Sequence, residues 1–402
     1  MAGPYYETAL TFTSQFYFCG LPLRLDSYSY CPFGCRYCFA KRRGGNFNQP
    51  RLKVASARAL ERLLHAAAHE CKSTESILVE LLRRRVPIHF GGMTDPFPVF
   101  EEDLRISFHL LEVLDAYNYP VVISTKSALV ACQPYVGLLS RMKYRVVQFS
   151  ISGRSSDYAR RTERNTPTPA ERLRAMTTLS ALGIPAFCRL QPLFPSRLDD
   201  ALALIRELPS AGCRHVAVEH LKLPLETTGQ RDLISSLSPE VSRYYQDAQR
   251  VGREWVLPAE MKERNLRPVA KAIREHGMTF GAADNDLQHF SDTMCCCSGV
   301  DQLAGFENFF RHHLGYGIRA ARGCEAICYS EIAHQWSPRL SPNRFLNSKV
   351  RRESRDGQPA SVSDYIREKW NSPGTQNSPT SWWGVRATGQ RDVSGNKIYA
   401  WG

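Results

Sequence analysis

Cys31, Cys35 and Cys38 stand in the run Cys31-Pro-Phe-Gly-Cys35-Arg-Tyr-Cys38, a C-x3-C-x2-C spacing in a glycine-containing loop. Three thiolates this close in sequence can wrap one small inorganic centre. A closed zinc site takes four protein ligands, and a [4Fe–4S] cluster is usually held by four cysteines. Three ligands leave one metal position open, where a cofactor can bind. The competing readings are a zinc knuckle with a remote fourth ligand and three unrelated buried thiols.

A second group follows late in the chain. Cys295, Cys296 and Cys297 are adjacent, and Cys324 and Cys328 follow as C-x3-C. Adjacent cysteines do not all reach one tetrahedral ion, but one or two of them can join Cys324 and Cys328. The candidates for this place are an auxiliary Fe–S cluster, a structural zinc or buried free thiols. Asp284, Asn285, Asp286, His312 and His313 are further candidate ligands close in sequence. Cys19, Cys71, Cys132, Cys188 and Cys213 are isolated and read as core thiols.

The elements that must position these residues alternate regularly. Strand-like apolar runs are expected at Leu21–Tyr30, Val86–Gly91, Pro120–Thr125, Tyr144–Ser152, Ile184–Gln191 and Arg214–Leu221. Helical patterns fill 57–82, 102–117, 135–143, 169–182 and 199–208. Thr168-Pro169 marks a helix start and Gly183 a stop. A polar helical stretch covers 233–265, and 271–276 with 278–283 reads as one more helix and strand. Such alternation predicts an α/β fold of right-handed βαβ units, a partial (β/α)6-type TIM barrel with a cysteine-bearing C-terminal extension. The expected organisation is an N-terminal segment at 1–20, the barrel at 21–287, a cysteine-rich region at 288–347 and a loop-rich tail at 348–402. The tryptophans at 382, 383 and 401 suggest that the tail docks back on the rest.

The chain has 402 residues, and no stretch approaches the roughly 20 apolar residues of a membrane span. No signal peptide is visible, which predicts a cytoplasmic protein whose 13 cysteines serve metal or redox chemistry rather than disulfides. Lys and Arg total 52 against 39 Asp and Glu, a formal charge of +13. An anionic partner is expected, and nucleic acid is the commonest. Lys41, Arg42 and Arg43 follow the cysteine loop, and Arg160, Arg161 and Arg164 follow the fourth strand. These six are the candidate phosphate contacts. No recognition-helix motif is seen, so charge and shape with an extruded base are the expected mode.

The run CPFGCRYCFA, with Tyr37 before the third cysteine, resembles the radical S-adenosylmethionine (SAM) enzymes. The resemblance implies that Cys31, Cys35 and Cys38 ligate a [4Fe–4S] cluster and that SAM chelates its open iron. It also implies reductive cleavage of SAM to a 5′-deoxyadenosyl radical, with electrons from a flavodoxin- or ferredoxin-type donor. Further segments are similar to the spore photoproduct lyase-like branch. They are FGGMTDPFP at 90–98, STK at 124–126, SIS at 150–152 with RTERNTPTPAERLRAM after it, and RLQPLFP at 189–195. They imply cofactor contacts from Tyr37, Gly91, Gly92, Met93, Thr94, Asp95, Lys126, Ser152 and Arg189. The branch's cysteine hydrogen donor is expected just after the second strand, where this chain has Gly91, Gly92 and Met93. Isomerisation or hypermodification of a base, as in thymidine-modifying relatives, is favoured accordingly.

Three functions are thus open: a radical SAM enzyme acting on thymine or a modified thymidine in DNA, as lyase or isomerase; one acting on a peptide, protein or small molecule; and a zinc-bearing nucleic-acid-binding protein.

Overall fold

The computed structural model describes residues 10–13, 15–40, 52–69, 76–224, 239–251, 254–294, 297–311, 313–333, 336–337, 340, 361–375, 377–382 and 384–402. Its centre is one eight-stranded sheet. In chain order the strands are β1 (Leu10–Phe12), β2 (Leu23–Leu25), β3 (Ile88–Phe90), β4 (Val121–Thr125), β5 (Arg145–Ser150), β6 (Ala186–Leu193) and β7 (His215–His220). An insertion carries β8 (Leu223–Pro224), β9 (Gln249–Val251) and β10 (Glu254–Val256), and β11 (Thr279–Ala282) completes the sheet.

The order is β1-β2-β3-β4-β5-β6-β7-β11. Neighbours from β2 to β11 are parallel, and β1 is antiparallel to β2. Among the described residues no ladder joins β11 back to β1 or β2, so the barrel is partial. Parallel neighbours need long crossovers. Helices Ile106–Ala116, Tyr135–Arg141, Pro169–Ala181, Leu198–Glu207 and Ala259–Glu275 supply them. β4 is buried along its whole length, as expected for a parallel strand covered on both faces.

The Pro169–Ala181 helix starts where its residues dictate. The Thr168 hydroxyl accepts from Glu171 N at 3.3 Å, and the Glu171 carboxylate accepts from Thr168 N at 2.7 Å, a reciprocal capping box with proline in the first turn. It ends before Gly183, which takes φ +70°.

The end of the barrel opposite the strand C-termini is plugged. Val122, Val146 and Phe187 from the inner sheet face pack with Leu21, Val300, Phe306 and Phe310. The segment after the adjacent cysteines is therefore a stopper for the barrel. His215 pins it, with Nε2 2.7 Å from Cys297 O and Nδ1 2.9 Å from Thr279 Oγ1.

Several expectations are corrected. Within the expected N-terminal segment, Leu10–Phe12 extends the main sheet, while residues 1–9 lie outside the described residues. The pattern at 57–82 divides into helices Ala57–Ala68 and Ile77–Arg83. The polar stretch at 233–265 holds a short helix, Pro239–Tyr244, and the β9–β10 hairpin before the long helix starts at Ala259. The tail carries helix Val362–Asn371 and hairpin β12 (Val385–Arg391)–β13 (Lys397–Trp401). It docks by its aromatics onto the N-terminal ones: Tyr365 stacks on Phe16, and Trp382 meets Phe18 edge-on at 5.4 Å. Among the described residues no helix is long and apolar enough to cross a membrane.

Candidate active site

Of the expected cofactor contacts, Tyr37, Gly91, Gly92, Met93, Thr94, Asp95, Lys126 and Ser152 follow the C-terminal ends of the parallel strands, where barrels of this kind place chemistry; Arg189, expected at the same mouth, lies within β6 instead. The cysteine loop follows β2. Cys35 is buried and Cys31 and Cys38 are half-buried. The loop's backbone is stitched to the segment after β5: Arg36 N donates to Thr162 O at 2.8 Å, Asn165 N to Phe33 O at 3.3 Å, and Asn165 Nδ2 to Pro32 O at 2.8 Å.

Side chains tie the same segments together around Glu163, whose side chain has no exposed surface. Tyr37 donates its hydroxyl to Glu163, and Ser152 Oγ does so at 3.3 Å. Arg172, also fully buried, forms an ion pair with the carboxylate from behind and donates to Ser150 O at 2.8 Å. Lys126 Nζ lies 3.2 Å from Glu163 Oε1 and 5.5 Å from the Tyr37 ring centre. Burial pulls the Lys126 ammonium down to about 8. Apart from that ion pair, it has no hydrogen-bond partner among the described residues.

The loop after β3 is organised by two carboxylates. Asp26 accepts from Met93 N at 2.8 Å and Thr94 N at 3.0 Å. Asp95 accepts from Thr125 Oγ1 at 2.7 Å, Lys126 N at 2.6 Å and Phe97 N at 3.0 Å. Burial raises both acids, against the pull of these donors. The Thr94 hydroxyl is spent on Tyr28 O at 2.9 Å. Thr94 and Asp95 thus clamp the β2, β3 and β4 ends to one another. Gly91 has φ +89°, and a Cβ there would stand 2.4 Å from Ser124 O. Contact with β4 therefore demands this glycine. At Gly92 a Cβ would press on the Arg24 side chain at 3.2 Å.

Sequence reasoning missed Asp26, Glu163 and Arg172. Glu163 is the one acid in the basic run RRTERN, and that was the available signal. It also missed the buried pair of His220 Nδ1 and Asp284 Oδ2 at 2.7 Å, where His220 draws the Asp284 acid far down against its burial.

The residues present fit a [4Fe–4S] cluster with SAM. Burial pushes the Cys31 thiol up to about 12 and raises Cys35 too. Three thiolates outweigh the cationic core, so the assembled group is an anion. Beside it stand two cations, Lys126 and Arg172, and two carboxylates, Glu163 and Asp95. The spare donors of Lys126 suit an anionic group there.

Residues 26–208 match the Radical SAM superfamily. This stretch is a radical SAM domain. The family works with a [4Fe–4S] cluster and S-adenosylmethionine. The uncharacterized proteins Rv2578c of Mycobacterium tuberculosis and Mb2609c of Mycobacterium bovis are each 25% identical over 271 residues, covering 64% of this chain and 75% of theirs. Among solved structures, a spore photoproduct lyase variant with bound AdoMet and dinucleoside spore photoproduct aligns with TM-score 0.47 and 14% identity, over 68% of this chain and 77% of its own. Streptococcus suis SuiB bound to S-adenosylmethionine aligns with TM-score 0.37 and 14% identity, over 76% and 69%.

The other cysteines of the chain are scattered. Cys297 sits in the stopper, within electrostatic reach of Cys19. Cys324 is exposed, and Cys328 begins the short helix Tyr329–Ile332. Cys295, Cys296, Cys71 and His312 lie outside the described residues, as do Lys41, Arg42 and Arg43. His313 Nδ1 is 3.1 Å from Phe18 O, and Asp286 pairs with Lys262. Among the described residues no three His, Cys, Asp or Glu side chains gather as they would around one metal ion. Arg160, Arg161 and Arg164 are exposed. Arg160 pairs with Asp157, and Arg161 lies 5.9 Å over the Tyr158 ring.

Proposed function

We propose that this radical SAM protein acts on a nucleic-acid base, thymine or a modified thymidine in DNA, as a lyase or an isomerase. One observation carries the reading. The segment that bears Arg160, Arg161 and Arg164 is the one whose Thr162 and Asn165 hold the cysteine loop. Exposed cations thus stand beside the cysteine loop, where, in this reading, phosphates flanking an extruded base would lie.

In this reading Cys31, Cys35 and Cys38 hold the cluster. Lys126 would offer its donors to the SAM carboxylate, and the backbone after Gly91 would receive the amino group. The bound cluster and SAM together supply a carbon-centred radical. The chain's own residues orient and shield. Glu163 fixes Tyr37 and Lys126 in place, and Asp26 and Asp95 hold the loop ends. The apolar stopper at Val300, Phe306 and Phe310 packs on the barrel floor.

The test is DNA-dependent SAM cleavage. Anaerobically reconstituted, reduced protein with SAM should release more 5′-deoxyadenosine when thymine-containing DNA is added. Equal release with and without DNA overturns the nucleic-acid substrate and leaves peptides and small molecules.

A further inference from the structure

The inner face of the barrel carries an unusual charge. Residues in register on adjacent strands share a face. The pairs Arg24↔His89, Ser124↔Gln148 and Ser150↔Arg189 place these side chains inside. Arg24, His89 and Arg189 are half-buried on strands whose other residues are mostly buried, so they face an accessible interior. They form a tier directly above the apolar stopper. His89 Nε2 is 2.8 Å from Ser124 Oγ, and Arg189 Nη1 is 3.4 Å from Gln148 Oε1.

Arg189 is the key member. It donates to Gln191 Oε1 from Nε at 3.2 Å and from Nη2 at 2.8 Å. Its three bonds thus all go to neutral amides. A guanidinium has five N–H groups, so two remain. Glu219, on β7, is taken by Gln191 and Lys222. Among the described residues no acid forms an ion pair with Arg189. Burial and the two guanidiniums, Arg189 and Arg24, hold His89 well below the usual imidazole range. A half-buried cation propped by amides, with donors to spare, is costly unless an anion completes it.

Arg24 borders the β3 loop, with Nη1 3.7 Å from Met93 Sδ, but Arg189 stands apart from the cluster's surroundings. The charged groups acting on Cys31 and Cys35 include Asp95, Lys126 and Glu163. Arg189 acts on Cys19, His89 and His215 instead.

We propose that the inner tier is a binding site for an anionic group of the substrate, a carboxylate or a phosphate, seated on Arg189 and facing Arg24 across His89. The site turns the substrate's reactive end up toward the cluster loop. This rests on the barrel being a SAM site but not on the target being polymeric DNA.

The experiment uses reconstituted full-length protein saturated with SAM. Iron content and SAM affinity are recorded first, and failure of either overturns the SAM-site reading itself. Three probes are then titrated calorimetrically: thymidine, thymidine 5′-monophosphate and 5-carboxy-2′-deoxyuridine. The expected result is that one charged probe binds roughly tenfold or more tighter than thymidine, as for a charge-assisted pair. Which one it is separates phosphate from carboxylate. Arg189→Met should lose that advantage while SAM affinity stays, and Arg189→Lys should keep part of it. Charged probes binding no better than thymidine overturn the proposal. So does an advantage that survives in Arg189→Met, or an Arg189→Met protein that holds iron but loses SAM, which would assign Arg189 to the cofactor.

Discussion

Tyr37, between the second and third cysteines of the loop, donates its hydroxyl to Glu163, a buried carboxylate on the far side of the barrel mouth. That one contact joins the cysteine loop to the β5 end, to Lys126 and to Arg172. It makes the geometry of the loop a property of the barrel rather than of the loop's own residues.

Removing the carboxylate should therefore cost more than a surface ion pair. Glu163→Gln leaves Arg172 buried without its counter-charge, a loss of about 3–5 kcal/mol. Urea unfolding of the cluster-free protein measures it. Tyr37→Phe should stay within about 2 kcal/mol of wild type yet release iron to a chelator faster. Unchanged iron release would show that the Tyr37 contact does not hold the loop.

Cluster loading should depend on pH in a set direction. Cys31 and Cys35 are held as neutral thiols by burial, and thiolate ligands must shed those protons on binding. Iron uptake by the stripped protein should rise with pH across the neutral range. Replacing Cys31, Cys35 or Cys38 by Ala should abolish the iron–sulfur absorption and SAM cleavage.

Gly91→Ala tests the fit between the β3 and β4 ends. The new methyl would meet Ser124 O and Pro96 Cδ at 2.4 and 2.7 Å at φ +89°. A loss of at least about 2 kcal/mol is expected. An unfolding midpoint equal to wild type would mean that the β3 loop tolerates displacement.

His215 should make the cluster-free protein acid-sensitive. Burial lowers it from 6.5 to about 4. Between these values the unfolded chain binds a proton that the folded one refuses, so stability falls as pH falls through that window. The loss approaches roughly 3 kcal/mol at its lower end. His215→Gln should flatten this part of the stability–pH curve, read from urea midpoints.

If the exposed arginines hold phosphates, Arg160→Ala, Arg161→Ala and Arg164→Ala together should weaken DNA binding. They should also reduce the slope of log affinity against log salt by about 2–3. An unchanged slope would place the DNA contacts elsewhere.

The motif spacing, the strand–helix alternation and the capping box at Thr168 were legible because each is local. A C-x3-C-x2-C loop, a buried apolar run or a Thr-Pro-x-Glu start carries its meaning within a few residues. The seventh parallel strand at 279–282 was legible for the same reason. Glu163 was not, because nothing near it in sequence says that it will sit beside Tyr37, 126 positions earlier. The antiparallel β1 was also missed, since three residues of Leu-Thr-Phe carry too little periodicity to stand out.

The sequence by itself determined the C-x3-C-x2-C spacing on which the proposed cluster rests, and the parallel barrel that presents it. Tertiary structure decided which charges face which. It gave Asp95 to the β4 backbone and left Arg189 among amides. It made the residues after the late cysteines a stopper for the barrel floor. Burial and pairing are relations between distant segments, and they come into being only when the sheet closes around them.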